Sequence, residues 1–351
     1  MTAEQRPLLS ICIPTFNRVT LLKEAIDSIL QQADGVSAND VEIVVSDNAS
    51  TDGTDAAVGL IKKTARLPIT YFRNDKNVGF DGNCLRVVGR ATGQYAWILG
   101  DDDLLASGAL PSVLHEIKGP AKADVYFGEK DDFYLTPDRP MRIRRVMKQT
   151  KEQLFDFKQK DVQVDYFRAN KKLIAYFNFI SMIIFDRSKW LQVEGKNAYD
   201  GTGYIHVYVF QSMLWGRQKG VLKYLPAILV KRRWGADRVD NQEKRLRQDV
   251  TMFRRIAEAV FEDKRYVRLI DDLVLRNDGF SWAVRAKLHD PKRFIQVILP
   301  FLFRAYWDHP LFWFKIVPLV FLPNFLLRFG RGFYRKLIKG EPINIKEMME
   351  D

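Results

Sequence analysis

The sequence predicts an α/β fold, a doubly wound and mostly parallel sheet, followed by a C-terminal α-helical amphipathic region. Three observations predict it. Short apolar runs at residues 8–13, 41–45, 69–72 and 95–99 alternate with segments of helical periodicity. A polar, turn-rich cluster follows each run, as expected where parallel strands present their carboxyl ends on one edge. Beyond residue 240 the alternation stops, and charged helical spacing gives way to aromatic and basic residues.

Residues 8–13 read as a strand stopped by Pro14. Thr15, Phe16, Asn17 and Arg18 then turn into a helix, with Leu21, Leu22, Ala25, Ile26, Ile29 and Leu30 at helical spacing. The strand at 41–45 ends in the loop Ser46-Asp47-Asn48-Ala49-Ser50-Thr51-Asp52-Gly53-Thr54, and a second helix follows it. A strand at 69–72, a loop at 74–79, a helix at 83–91 and a strand at 95–99 complete a right-handed β-α-β-α-β-α-β series. That last strand runs into Asp101-Asp102-Asp103. Adjacent carboxylates repel and are not buried unpaired. Either the turn is solvated, or a hard divalent cation with oxygen ligands supplies the countercharge. On the same edge Asp47 offers an acceptor to a base N–H or a ribose hydroxyl, and the Pro14–Thr15 backbone flanks that position. Neither G-x-x-x-x-G-K-[ST] nor GxGxxG occurs, so neutralising a diphosphate there falls to a metal.

The length of 351 residues suits one large domain or two ordinary ones, and 47% hydrophobic residues support a packed core. Cys12 and Cys84 lie in apolar surroundings without ligand spacing. They read as buried free thiols of a reducing cytoplasm and not as a zinc site. Residues 1–7 lack the apolar core of a signal peptide. The net charge of +12 implies an anionic partner, whether nucleic acid, phosphates or a membrane surface.

The stretches at 13–18 (IPTFNR), 44–54, 74–79 and 99–103 together resemble, in order and spacing, the successive motifs of family 2 glycosyltransferases with the GT-A fold. The resemblance covers roughly the first 110 residues. It implies a nucleotide-sugar donor, a divalent metal (Mn2+ or Mg2+) and inversion at the anomeric carbon. By motif position Asp47 meets the nucleoside base, and Pro14, Thr15, Asn17, Arg18, Asn77, Gly79 and Asp101 belong to the donor site. Asp101 and Asp102 form the Asp-x-Asp-type pair, with Asp102 the metal ligand and Asp103 beside it. The family often has Asp where this chain has Gly100, so the first acid of the pattern is displaced. The organisation implied is a GT-A domain at 1–240, its nucleotide-sugar half at 1–110 and its acceptor half at 111–240, with a membrane-associating region at 241–351.

In the acceptor half, residues 123–128 and 178–185 read as strands, and the basic stretch 138–151 as an exposed loop, either solvated or binding acceptor phosphate. This part resembles the abequosyltransferase-like branch more than the processive synthases. Inverting transfer needs a general base for the acceptor hydroxyl, which the family usually supplies from a Glu-Asp pair at a helix start. That pair is missing here, and His206 stands in its place before a helix at 207–215. An imidazole titrates in the right range. Asp200 is its competitor or its orienting partner, and a merely packed histidine is the structural alternative. Lys231-Arg232-Arg233-Trp234-Gly235-Ala236-Asp237-Arg238 reads as a mobile loop after the last strand. Arg233 and Trp234 would close there on the leaving diphosphate, unless the run is a charged connector.

Residues 241–275 are helical and charged, and 280–340 are rich in Phe, Trp, Lys and Arg with only Asp290 and Asp308 as acids. The apolar stretch 311–329 is interrupted by Lys315, Pro318, Pro323 and Arg328, which argues against a membrane span. Short amphipathic helices lying on an anionic membrane surface are expected, against the alternatives of a helical cap or an oligomer interface. The sequence therefore points to a peripheral or monotopic glycosyltransferase on the cytoplasmic face of the inner membrane. Its acceptor would be a polyprenyl-diphosphate-linked saccharide of a bacterial surface polysaccharide. Two other readings are weaker. A sugar nucleotidyltransferase should carry a glycine-rich basic loop after its first strand, where this chain has Pro14-Thr15-Phe16-Asn17. A nucleic-acid-binding protein would use the aromatic and basic residues for stacking, and nucleic acid is not the expected partner.

Overall fold

A computed structural model of the chain describes residues 6–141, 145–159, 161–170, 172–217, 219–235 and 242–334. The chain divides into two compact units, Met1–Asp237 and Arg238–Asp351.

The first unit is built on strands β1 (Leu9–Thr15), β2 (Val41–Asp47), β3 (Ile69–Arg73), β4 (Tyr95–Ile98), β5 (Leu104–Leu105), β6 (Val125–Tyr134), β7 (Gln153–Asp156), β8 (Ile183–Asp186) and β9 (Val221–Trp234). They form one sheet in the order β3-β2-β1-β4-β8-β6-β9-β5, with β7 also paired to β9. The first four strands are mutually parallel. β8 runs antiparallel to both of its neighbours, β6 and β9 are parallel, and β5 and β7 oppose β9. The sheet is thus mostly parallel in its first half and mixed in its second.

Every residue of β1 and β2 is buried, because helices cover both faces of the parallel half. The intervening helices are α1 (Val19–Leu30), α2 (Thr54–Thr64), α3 (Gly79–Arg90) and α4 (Ala109–Lys118). Helix α1 buries Leu22, Ala25, Ile26 and Ile29, all residues of its apolar stripe. Later come α5 (Val162–Ala169), α6 (Arg187–Gln192) and α7 (Ile205–Trp215).

Several elements differ from the expected ones. β1 continues through Pro14 to Thr15. Its pairing with β4 ends at Cys12, so the missing N–H of Pro14 falls where β1 has a neighbour on one side only. β6 runs on to Tyr134 because the 14-residue β9 pairs with it. Three residues of β6, Phe127 to Glu129, oppose five of β9, Tyr224 to Ile228. Pro226 lies in that bulge, where no ladder bond is demanded of it. Strand β8 begins only at Ile183, after 3-10 turns at Leu173–Tyr176 and Ile180–Met182. Lys231 to Trp234 are strand, not a mobile loop. They pair with Asp131 to Tyr134 of β6. The rest of that run, Ala236 to Arg238, lies outside the described residues, as do Arg142 and Arg144 of the basic stretch.

The second unit is helical among its described residues: α8 (Gln242–Val260), α9 (Lys264–Val274), α10 (Phe280–His289), α11 (Pro291–Arg293), α12 (Leu299–Tyr306), α13 (Pro318–Phe321) and α14 (Asn324–Tyr334). Its core includes Phe253, Ile256, Ile270, Phe294, Tyr306 and Phe312. Arg254 pairs with the buried Asp271 at 2.6 Å and lies over the Tyr306 ring. No described helix is long and apolar enough to cross a membrane.

Candidate active site

The parallel strands end on one edge, and the polar loops after them are tied together there. Arg18, ahead of α1, reaches across to the loop after β4. Its Nη1 lies 3.1 Å from Asp101 Oδ1 and 3.2 Å from Asp102 Oδ2. Thr15, the last residue of β1, donates its hydroxyl to Asp101 Oδ2 at 2.8 Å. Ser181 Oγ donates to Asp103 Oδ2 at 2.7 Å and accepts the Gly100 N–H at 3.0 Å. The Arg233 backbone N–H donates to Asp103 Oδ1 at 3.2 Å. An added Cβ on Gly100 would sit 3.0 Å from Asp103 Oδ2 and 3.1 Å from Asp102 Oδ1. The glycine that displaces the acidic pattern is therefore what lets the chain pass this close to its own carboxylates.

The three acids differ in environment. Asp101 and Asp103 are buried, whereas Asp102 is half-buried. Burial pushes Asp101 up to about 6, with Arg18 opposing and Asp102 adding. Burial, followed by the charge of Asp102, pushes Asp103 up to about 8. Burial thus disfavours the ionised form of both carboxyls, and the Arg18 guanidinium is drawn between Asp101 and Asp102. An all-oxygen donor set with a solvent-facing member suits Mn2+ or Mg2+, which bind through one or two carboxylates plus phosphate oxygens.

Around the acids, the predicted residues are placed as follows. Asn17 has φ 52, and its side chain accepts the Thr51 N–H at 2.8 Å while its own N–H meets Ser50 Oγ at 2.9 Å. Asp52 accepts the Val19 N–H at 2.8 Å and so binds the start of α1 to the β2 loop. Asp47 is 1% exposed. Its carboxylate accepts from the Ser50 N–H at 2.9 Å and the Tyr71 hydroxyl at 2.6 Å, which makes it an anchor of the loop. Asn77 Oδ1 accepts from Asn48 at 2.8 Å and from the Gly79 N–H at 2.8 Å. Gly79 has φ +76, a conformation that disfavours a side chain. Arg233 is buried: Nε donates to the Asp102 carbonyl at 3.0 Å, Nη2 to Glu24 at 2.5 Å, and Nη1 to the Leu135 carbonyl. Trp234 is half exposed, with Arg232 over its ring at 4.4 Å.

The candidate bases differ sharply. His206 is 5% exposed, and neither ring nitrogen has a well-formed hydrogen bond. Burial pushes it down to about 4, with the Asn178 backbone opposing. The ring packs edge-on against Phe80 at 6.0 Å. The sequence places this histidine at an open helix start, but α7 turns it inward. Asp200 is exposed, and its Oδ1 lies 3.6 Å from where a Cβ on Gly82 would sit. Gly82 belongs to the first turn of α3, which starts at the carboxyl edge of the sheet, so Asp200 stands at that edge.

Several residues that build the site gave no signal in the sequence. Asp81 of α3, itself buried, accepts from the Gly203 N–H at 2.6 Å and the Ile205 N–H at 3.4 Å. It thus caps α7 from a different element. Burial pushes it up, and the Asp200 charge adds to this. Asn74 and Asn83 join Asn48 and Ser46 in a buried amide network. Ser181 and Glu24 are equally remote in sequence from the residues they hold. Among the described residues, no group of three or more His, Cys, Asp or Glu forms a preassembled metal cage.

A sequence model described as glycosyl transferase family 2 matches residues 10–177. Abequosyltransferase RfbV of Salmonella typhimurium is 32% identical over 207 residues, 59% of this chain and 61% of that protein. A GalNAc(5)-diNAcBac-PP-undecaprenol beta-1,3-glucosyltransferase of Campylobacter jejuni is 40% identical over 111 residues, 31% of this chain and 34% of that protein. The chain thus spans less than two thirds of the length of either relative. Among solved structures, S. aureus TarS 1–349 with UDP-GlcNAc superposes with a TM-score of 0.59 at 15% identity, over 85% of this chain and 81% of that one. Mannosyltransferase PcManGT from Pyrobaculum calidifontis with GDP-Man and Mn2+ gives 0.52 at 16%, over 90% and 85%. At such identities the likeness is one of fold, and that fold is GT-A.

Proposed function

We propose that the chain, which matches the glycosyl transferase family 2 model through residues 10–177 and resembles abequosyltransferase RfbV, is an inverting, metal-dependent glycosyltransferase of bacterial surface polysaccharide synthesis. It would take a sugar from a nucleotide-sugar donor to a hydroxyl of a polyprenyl-diphosphate-linked saccharide, at the cytoplasmic face of the inner membrane. The observation that carries the reading is the acid cluster at the end of β4, with Asp101 and Asp103 buried and Asp102 half-buried beside them. The Campylobacter relative, named for an undecaprenol-diphosphate substrate, supports the lipid-linked acceptor.

In this reading Pro14, Thr15, Asn17, Asn77 and Gly79 shape the donor side of the edge, and Asp47 fixes the loop that meets the nucleoside. Asp102 would hold a cation with Asp103 behind it, and such a cation would supply positive charge to the donor diphosphate. Arg18 keeps Asp101 and Asp102 in register. Arg233, hydrogen-bonded to the Asp102 carbonyl, fixes the turn, and Trp234 is the group left to contact the donor. Asp200 is the base: the acceptor oxygen attacks the anomeric carbon from the face opposite the diphosphate, and its proton passes to the Asp200 carboxylate. The C1–O bond breaks, its electron pair leaves with the diphosphate, and the configuration inverts. His206 packs the helix that carries this loop. Melting curves of the protein with UDP, GDP, CDP or dTDP plus Mn2+ should show stabilisation by one of the four. The matching nucleotide sugar should then yield free nucleoside diphosphate and an elongated lipid-linked acceptor. Stabilisation by none of them, with or without metal, would end the reading.

A further inference from the structure

The C-terminal unit keeps large apolar side chains outside at one corner. Helix α13 ends at Phe321, and Leu322 adopts extended backbone with φ −74 and ψ 124. That is the conformation a following proline imposes, and Pro323 is that proline. A helix broken there leaves its last carbonyls without partners. Lys287 of α10 takes them. Its ammonium, on a residue 5% exposed, donates to the carbonyls of Leu319, of Val320 at 3.2 Å and of Leu322 at 2.6 Å. Among the described residues no carboxylate pairs with it. A cation on these carbonyls suits the negative end of the helix. The corner is therefore a turn held by a dedicated side chain.

Outside this turn, Phe321 is 80%, Phe325 68% and Phe329 63% exposed. Leu322 and Leu326 are exposed beside them. Phe325, Leu326 and Phe329 share one face of α14. Upstream, Phe314, Trp307 and Trp313 are also exposed, and the Trp313 indole N–H is bonded to the Trp307 carbonyl at 2.7 Å. Apolar groups held in water like this forgo the gain that burial would give, and contiguous patches of this kind mark interaction sites. The charged residues of the 280–340 segment are one-sided in sign. Arg304 and Lys292 are exposed, Lys315 and Arg328 are half-buried, and Asp290 and Asp308 are the only acids from 280 to 340.

We propose that this corner is a wedge that enters an anionic lipid monolayer, with Phe321, Phe325 and Phe329 in the acyl region and the basic residues at headgroup phosphates. Lys287 holds the broken helix in the shape that presents them. The inference deepens the lipid-linked acceptor reading, while the binding itself is argued from this unit alone.

The test is flotation of the full chain with vesicles of equal parts phosphatidylcholine and phosphatidylglycerol, and with phosphatidylcholine alone. The chain should float with the mixed vesicles and far less with the neutral ones. Combining Phe321→Ser, Phe325→Ser and Phe329→Ser should weaken partitioning by about tenfold or more, with melting temperature and donor hydrolysis in solution unchanged. Lys287→Met should also weaken flotation, and Lys287→Arg should restore it. Equal flotation of the triple variant and the parent would overturn the wedge. So would a parent that does not float but sediments as a dimer, which the triple variant turns into a monomer, because the patch would then belong to a second copy. Vesicle binding without any donor hydrolysis would defeat the catalytic reading and leave the wedge standing; hydrolysis without binding would do the reverse.

Discussion

Replacing Asp103 by Asn tests the electrostatics of the acid cluster without emptying space. In the native chain burial and the neighbouring Asp102 charge raise the Asp103 carboxyl to about 8. An unfolded chain would ionise the same group near 4. Between those values the folded state holds a proton that the unfolded state has released, so stability falls as pH rises through the window. At about 1.4 kcal/mol per tenfold, the full penalty above the window is on the order of 5 kcal/mol at most. The amide of Asp103→Asn carries no charge, and Ser181 can rotate to accept from it. The measurement is melting temperature against pH in chelator. Variant and parent should coincide near about pH 4, and the variant should melt higher by up to about 10 °C near about pH 9. Adding Mn2+ at high pH should raise the parent more than the variant, in which Asp102 remains. Curves that run parallel across the whole range would refute the claim that burial disfavours the ionised form of this carboxyl.

Asp200→Asn should lower kcat by about a hundredfold or more with donor KM kept, whereas His206→Gln should show its loss in melting temperature; steady-state kinetics on both variants assigns the base, and the opposite pattern would reverse the assignment. Asp81→Asn leaves one of the Gly203 and Ile205 N–H groups without its acceptor and should cost about 1 to 3 kcal/mol in chemical denaturation. Gly128→Ala would drive a Cβ into the buried Leu229 side chain. It should destabilise by about 1 to 3 kcal/mol, and Leu229→Ala in the same chain should recover part of that loss.

Much of the first half was legible because it repeats. Each buried parallel strand is an uninterrupted apolar run, each helix buries one stripe, and each functional loop follows a strand end. Residues 8–13, 41–45, 69–72 and 95–99 all fall on strands or their immediate ends for that reason. The second half was less legible. β5 and β7 are two and four residues long, too short for any period, and exist because β9 offers them a ladder. The charge of the run from Lys231 predicts a loop, yet its arginines are held in the strand by Asp132, Glu24 and the Asp102 carbonyl. At the site, the acids themselves were visible, but the groups that position them were not. Ser181 and Asp81 act across 78 and 122 positions of chain, a separation no local pattern records. His206 stands at a helix start in sequence and faces inward in the fold, an orientation that no local pattern records.

The central claim is that a cation held at Asp102 carries the donor diphosphate. Calorimetric titration of the parent and of Asp102→Asn with the best-binding nucleoside diphosphate, with and without Mn2+, tests it directly. The account predicts tight binding by the parent only when Mn2+ is present, and loss of that metal-dependent gain in the variant. Equal affinity of the two proteins in Mn2+ would contradict it.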